Sequence, residues 1–446
     1  MNALRKIPLL AVLTVALVVT GVAGTVIPSP NPVASELSIT SSASAESAAI
    51  YCTGLTDSSS GAQGVVELLN TTNQKRQAVV SVTNDQGAQQ QETISLAGYA
   101  NTRINPSTLE KGSSYGVAVQ VNGGGVIGEE ILSKSASALQ CQNGGVTSWN
   151  AAGLNTLVGN HAYISLFNPT ATSAVLNLST YSPSGFSAPA PFQGISVASH
   201  AQMLIDLGTQ IVNTENIGVK VNVLRGALAV TGLQVNGAVP SFTGGANSPS
   251  TSGVFPLVTT NLKQGAQIRF MNTTSQVANI NLPVTLANYN IATQTLSVPA
   301  FSSAQITITP NPAIPAAGYA SVTWKSDQPV VAGLLSGDIA GELLSSSPRV
   351  GASFSVFTNS GVKPNSVEVT NTSTKNVTVQ IRGFSNSLDT TSTAVVVAPG
   401  ATVNVSNASP TFATDQALFI SAARNVLVVN VLSPSEVTES PRVIQP

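Results

Sequence analysis

The stretch Ile164-Ser165-Leu166-Phe167-Asn168-Pro169-Thr170 has three siblings in the same chain. They read Val66-Glu67-Leu68-Leu69-Asn70-Thr71-Thr72, Ile268-Arg269-Phe270-Met271-Asn272-Thr273-Thr274 and Val367-Glu368-Val369-Thr370-Asn371-Thr372-Ser373, each about a hundred residues from the next. Positions four and two before the Asn are apolar in every copy, and position three before it is polar. A period of two marks a strand with one buried face. The Asn stands where the strand ends, and it suits an Asx-turn or a positive φ.

Two further markers keep the same order. Apolar pairs eight residues apart recur as Leu96/Ile104, Val197/Ile205, Val298/Ile306 and Val397/Val405, with turn residues between them. A closing pair of strands follows, as in Val117-Ala118-Val119-Gln120-Val121 and then Val126-Ile127. An aromatic opens each unit: Tyr51, Trp149, Phe255 and Phe354. About seven short strands per hundred residues predict an all-β chain of four tandem immunoglobulin-like β-sandwich domains. The repeats are placed at 50–143, 144–246, 253–349 and 350–440, with a linker at 247–252 and a tail at 441–446.

The N-terminus predicts export. Arg5 and Lys6 precede an uncharged run from Ile7 to Ile27, long enough for an apolar spanning helix. Residues 1–27 are therefore a signal anchor with a cytoplasmic N-terminus, or a signal peptide cut near Val22-Ala23-Gly24 or Ala43-Ser44-Ala45. Residues 28–49, rich in Pro, Ser and Ala, read as a spacer. The expected location is extracytoplasmic, either membrane-anchored through residues 7–27 or secreted.

Of the 446 residues, 42% are hydrophobic and only 8% are charged, with a net charge of −1. No basic field exists to gather phosphates, which argues against nucleic-acid partners. Cys52 opens the first repeat and Cys141 closes it. First and last strands of a sandwich often lie together, so the two predict a disulfide, with two separate thiols as the alternative.

Chemistry-bearing patterns are thin. Gly123-Gly124-Gly125-Val126-Ile127-Gly128 matches a dinucleotide fingerprint, but a strand follows it where a helix is needed, so it reads as a hairpin. His200 and Asp206 with any serine would supply a triad only if folding oriented them. His161 and His200 do not recur in the other repeats and read as surface residues. Glu129-Glu130 is expected at a solvated strand edge, with calcium at a domain junction as the alternative. Trp149 and Trp324 read as core. The sequon-like Asn70-Thr71-Thr72 and Asn371-Thr372-Ser373 coincide with the structural turn. No catalytic residue, cofactor or metal site is expected.

With its apolar leader, Tyr51-Cys52-Thr53-Gly54 and Ser165-Leu166-Phe167-Asn168-Pro169-Thr170, the chain resembles an actinobacterial family of exported proteins of unknown function. That family carries Cys-Pro-Gly where this chain has Cys52-Thr53-Gly54. The resemblance implies an envelope location and supplies no activity or binding residues. The expected function is a non-enzymatic envelope scaffold, its partner an envelope protein or cell-wall polysaccharide. A cell-wall glycan-binding protein is the alternative, with a hydrolase third.

Overall fold

The computed structural model describes residues 47–432 apart from 57–63, 133–136, 238, 260–265, 287–288, 313, 315–318, 336–342, 345–352, 358–365, 386–387, 405–416 and 424–426. The expected leader, most of the spacer and the tail lie outside the described residues. Among the described residues, no helix is long and apolar enough to cross a membrane.

The chain folds as four tandem immunoglobulin-like sandwiches. In the first repeat, one sheet runs Ser47–Thr56, Ser114–Asn122, Arg76–Asn84, Gln89–Leu96, and the other runs Asn101–Ile104, Gly64–Asn70, Val126–Leu132, Ser137–Gln140. All pairs within it are antiparallel. The same plan returns in the second repeat, where Asn160–Phe167 lies between Gln202–Asp206 and Ala229–Asn236. In the third, the seventeen-residue strand Tyr319–Leu335 serves both sheets. In the fourth, Ser366–Asn371 lies between Thr402–Asn404 and Leu427–Leu432. The strand that opens the third repeat starts inside the expected 247–252 linker, because Ser250 already pairs with Val330.

Each repeat has its own core. The alternation read from the sequence fills it: Val66 and Leu68, Ile164 and Leu166, Ile268 and Phe270 are all buried. Trp149 and Trp324 lie in the second and third cores, and the Trp324 ring stands edge-on to Phe270. Cys52 and Cys141 form a disulfide.

The recurring Asn is a hydrogen-bond hub, buried in all four copies. Asn168 Nδ2 donates to the carbonyl of Thr172 and shares its protons with those of Val197 and Ala198. Its Oδ1 accepts from the N–H and hydroxyl of Thr170. Asn70, Asn272 and Asn371 repeat the set. The strand end is thereby tied to the bend between the eight-spaced apolar pair, which explains why the markers keep their order. It also explains the sequon-like pattern, since the hub needs a hydroxyl two residues on. With both faces of its amide engaged, the Asn offers nothing to a glycan.

Candidate functional site

In the first three repeats, the face of the Asn strand that points away from its own core is covered as well. The polar position three before the Asn was expected to face solvent, yet Glu67, Ser165 and Arg269 are all buried. In the second and third repeats, the cover is the preceding repeat. Phe167 lies against Gly116 of the first repeat, and Met271 lies against Gly218 of the second. Gly116 and Gly218 hold one position, directly before Val117 and Val219. Val117 pairs with Cys52 and Val219 with Ala151, each next to a bulge with a positive-φ glycine, Gly54 and Gly153. One joint is thus built twice. A side chain next to the hub Asn enters the space that a missing Cβ leaves. Sequence reasoning missed these glycines; their equal offset from the closing strands was the available signal.

Polar contacts differ between the two joints. At the first, the hydroxyls of Thr53 and Ser165 are 2.7 Å apart, Gln202 bridges Ser165 and Ser114, and Gln142 Nε2 donates to the Val230 carbonyl. Leu233 and Phe242 of the second repeat join the first repeat's core. At the second, Ala152, Tyr181, Met271 and Val331 form a small apolar cluster. Arg269 reaches across it to the Gly153 carbonyl and stands 3.7 Å from Glu215. Burial lowers its guanidinium pKa to about 10, against the opposing pull of Glu215.

Glu129 and Glu130 do not sit at a solvated edge: they are 2% and 1% exposed. Glu129 lies opposite Glu67 on the outward face, and Glu130 lies opposite Val66 on the core face. The error has a physical source. The strand Val126–Leu132 is flanked on both sides within its sheet, by Gly64–Asn70 and Ser137–Gln140, so it is no edge. Burial, set against hydrogen bonds from the Thr231 hydroxyl and the Thr53 amide, pushes the Glu130 carboxyl well above the usual carboxylate range. Among the described residues, no group of three or more His, Cys, Asp or Glu is placed to hold a metal ion.

His200 occupies an exposed turn at φ 51, the position of Tyr99, Phe301 and Gly400 in the other repeats. Asp206 Oδ1 accepts from the Gly208 amide, capping a short 3-10 turn. His161 is exposed and stacks on Tyr163. The glycine run forms a hairpin, with Gly123 and Gly125 at positive φ, before the strand Val126–Leu132. Phe186 and Phe301, 52% and 43% exposed, meet across the second joint with ring centroids 6.4 Å apart.

No curated protein matches the chain. A solved structure described as a tetra-tandem repeat in the extending region of a large adhesion protein is 12% identical, over 89% of this chain and 97% of that one. Its TM-score of 0.13 leaves it without weight for the argument. A model described as a family of unknown function (DUF5719) matches residues 133–408, more than half of the chain, from the last strands of the first repeat into the fourth. The chain belongs to that family.

Proposed function

We propose that this protein is a non-enzymatic extracytoplasmic scaffold, stacking its sandwiches through packed joints to engage another envelope protein. The observation that carries this reading is the repeated joint, Phe167 on Gly116 and Met271 on Gly218. Beads meant to move independently need no matched glycine at each junction. Inter-domain contacts of ordinary size leave relative motion as the default, and these closely packed joints restrict it. The Cys52–Cys141 disulfide is compatible with an extracytoplasmic location, and the apolar run at residues 7–27 supplies the membrane attachment if it is kept. Asp206, the carboxylate nearest His200 in the sequence, is engaged in capping a short turn.

The test is in-cell crosslinking of the full chain, with purified wall polysaccharide as the competing ligand. The scaffold reading expects crosslinks to a defined envelope protein that G116A or G218A weakens, and no retention on polysaccharide. Retention on polysaccharide without protein crosslinks would sink it.

A glycan-binding reading has one observation in its favour: Phe186 and Phe301 present two exposed rings at the second joint. Sugar rings stack on such faces. Retention on polysaccharide that F186A and F301A abolish would establish this second reading.

A further inference from the structure

Glu130 is where the first repeat departs from its siblings. Opposite Val66, Ile164, Ile268 and Val367 stand Glu130, Gly232, Leu334 and Val431. Only the first repeat places an acid at this core-facing position. Beside it, the bulge at Thr53-Gly54 interrupts the pairing of Ser47–Thr56 with Ser114–Asn122. The Thr53 amide freed there donates to the carboxyl. The Thr231 hydroxyl, from the second repeat, donates to Oε1 at 3.0 Å. Oε2 has no partner among the described residues.

Among the described residues, none of the strands packed on Glu130 carries a Lys or Arg. The titratable groups on the packed strands are Tyr51 on Ser47–Thr56, Tyr115 on Ser114–Asn122, Glu67 on Gly64–Asn70 and Glu129 next in the same strand. Asn160–Phe167, lying on the first repeat, carries His161 and Tyr163. The strands Ser137–Gln140, Ala229–Asn236 and Val239–Thr243 carry none. A charged Glu130, 1% exposed, would keep one oxygen without a partner among the described residues, a costly state for a buried charge.

We propose that the joint between the first two repeats is a pH-gated latch, closed while the Glu130 carboxyl holds its proton and open once that proton is lost. Separation of the repeats would hydrate Glu130, Thr53 and Thr231 and withdraw Leu233 and Phe242 from the first repeat's core. The sign follows from linkage. Burial raises the acid's pKa in the closed joint, so the closed form binds the proton more tightly than the open one. Closure is therefore favoured fully below the ordinary carboxylate range and weakens as pH rises through the raised value.

The test is hydrogen exchange on the full chain from about pH 5 to about pH 9, corrected for intrinsic rates and read at peptides containing Thr53 and Thr231. In the wild type, protection of both peptides falls together by up to about tenfold per pH unit between the ordinary carboxylate range and the raised value, then levels off, while the Phe270 peptide stays constant. E130Q, which keeps the shape without the titration, stays protected throughout. T231V removes a donor that favours the ionised carboxyl in the closed joint, so the fall continues to a higher pH before it levels off. Flat wild-type protection, or the same pH dependence in E130Q, overturns the latch. Should E130Q fail to fold, a levelling-off pH unchanged in T231V overturns it instead.

Discussion

Phe167 lies so close to Gly116 that a Cβ on the glycine would stand 2.3 Å from the ring. The two belong to different sandwiches, and the contact fixes one on the other. Gly116 has no positive φ, so its requirement is for space and not for backbone freedom.

Gly116→Ala should cost about 1–3 kcal/mol by overpacking, read as a lower urea midpoint. The same change made with Phe167→Ala should cost less, because the clash is then gone. Gly218→Ala should cost a similar amount, since its Cβ would meet not only the Met271 thioether but also Met271 Cβ at 2.8 Å. Equal costs for Gly116→Ala in both backgrounds would argue against the contact.

The hub asparagines should rank among the most sensitive positions. Asn168→Ala strands the carbonyls of Thr172, Val197 and Ala198 and should cost about 2–4 kcal/mol. Asn168→Asp should cost more at neutral pH, because a carboxylate would then face three carbonyl oxygens. Denaturant titration of the two variants checks the order, and Asn70, Asn272 and Asn371 should follow it.

Replacing Cys52 and Cys141 together by Ala opens a loop of 89 residues. The chain-entropy relation gives a loss of about 4–5 kcal/mol. Hydrogen exchange should place that loss in the first repeat and leave Phe270 in the third unchanged. Uniform loss along the chain would show that the bridge does more than staple one sandwich.

Arg269 and Glu215 should contribute unequally. Glu215 is 46% exposed, and water screens its share of the pair, so Glu215→Gln should cost less than about 1 kcal/mol. Arg269→Lys should cost about 1–3 kcal/mol, because an ammonium cannot serve both the Gly153 carbonyl and the Gln267 side chain. Thermal melts of both variants test the ranking.

His200 holds a left-handed backbone where the fourth repeat has Gly400. His200→Gly should stabilise the chain by about 0.5–1 kcal/mol by removing the Cβ conflict. A rise in melting midpoint checks it, and a fall would mean that the imidazole makes a contact worth more than the strain.

Much of this molecule was legible because its repeats copy one another. The hub Asn, the alternation before it and the eight-residue bend repeat four times, so chance resemblance was easy to discount. Cys52 and Cys141 were readable as a pair because they open and close one unit. Glu129 and Glu130 were misread because charge in a sequence says nothing about which strands flank a strand.

By itself the sequence determined the strands, their core-facing sides, the number of sandwiches and the disulfide, since periodicity and spacing are local or repeated. Only the tertiary structure decided what covers the other side. Glu67, Ser165 and Arg269 are polar whether they meet water or a neighbouring repeat. Gly116 and Gly218 have meaning only when Phe167 and Met271 arrive from about fifty residues away. A joint is a property of two surfaces together, and neither strand records its partner.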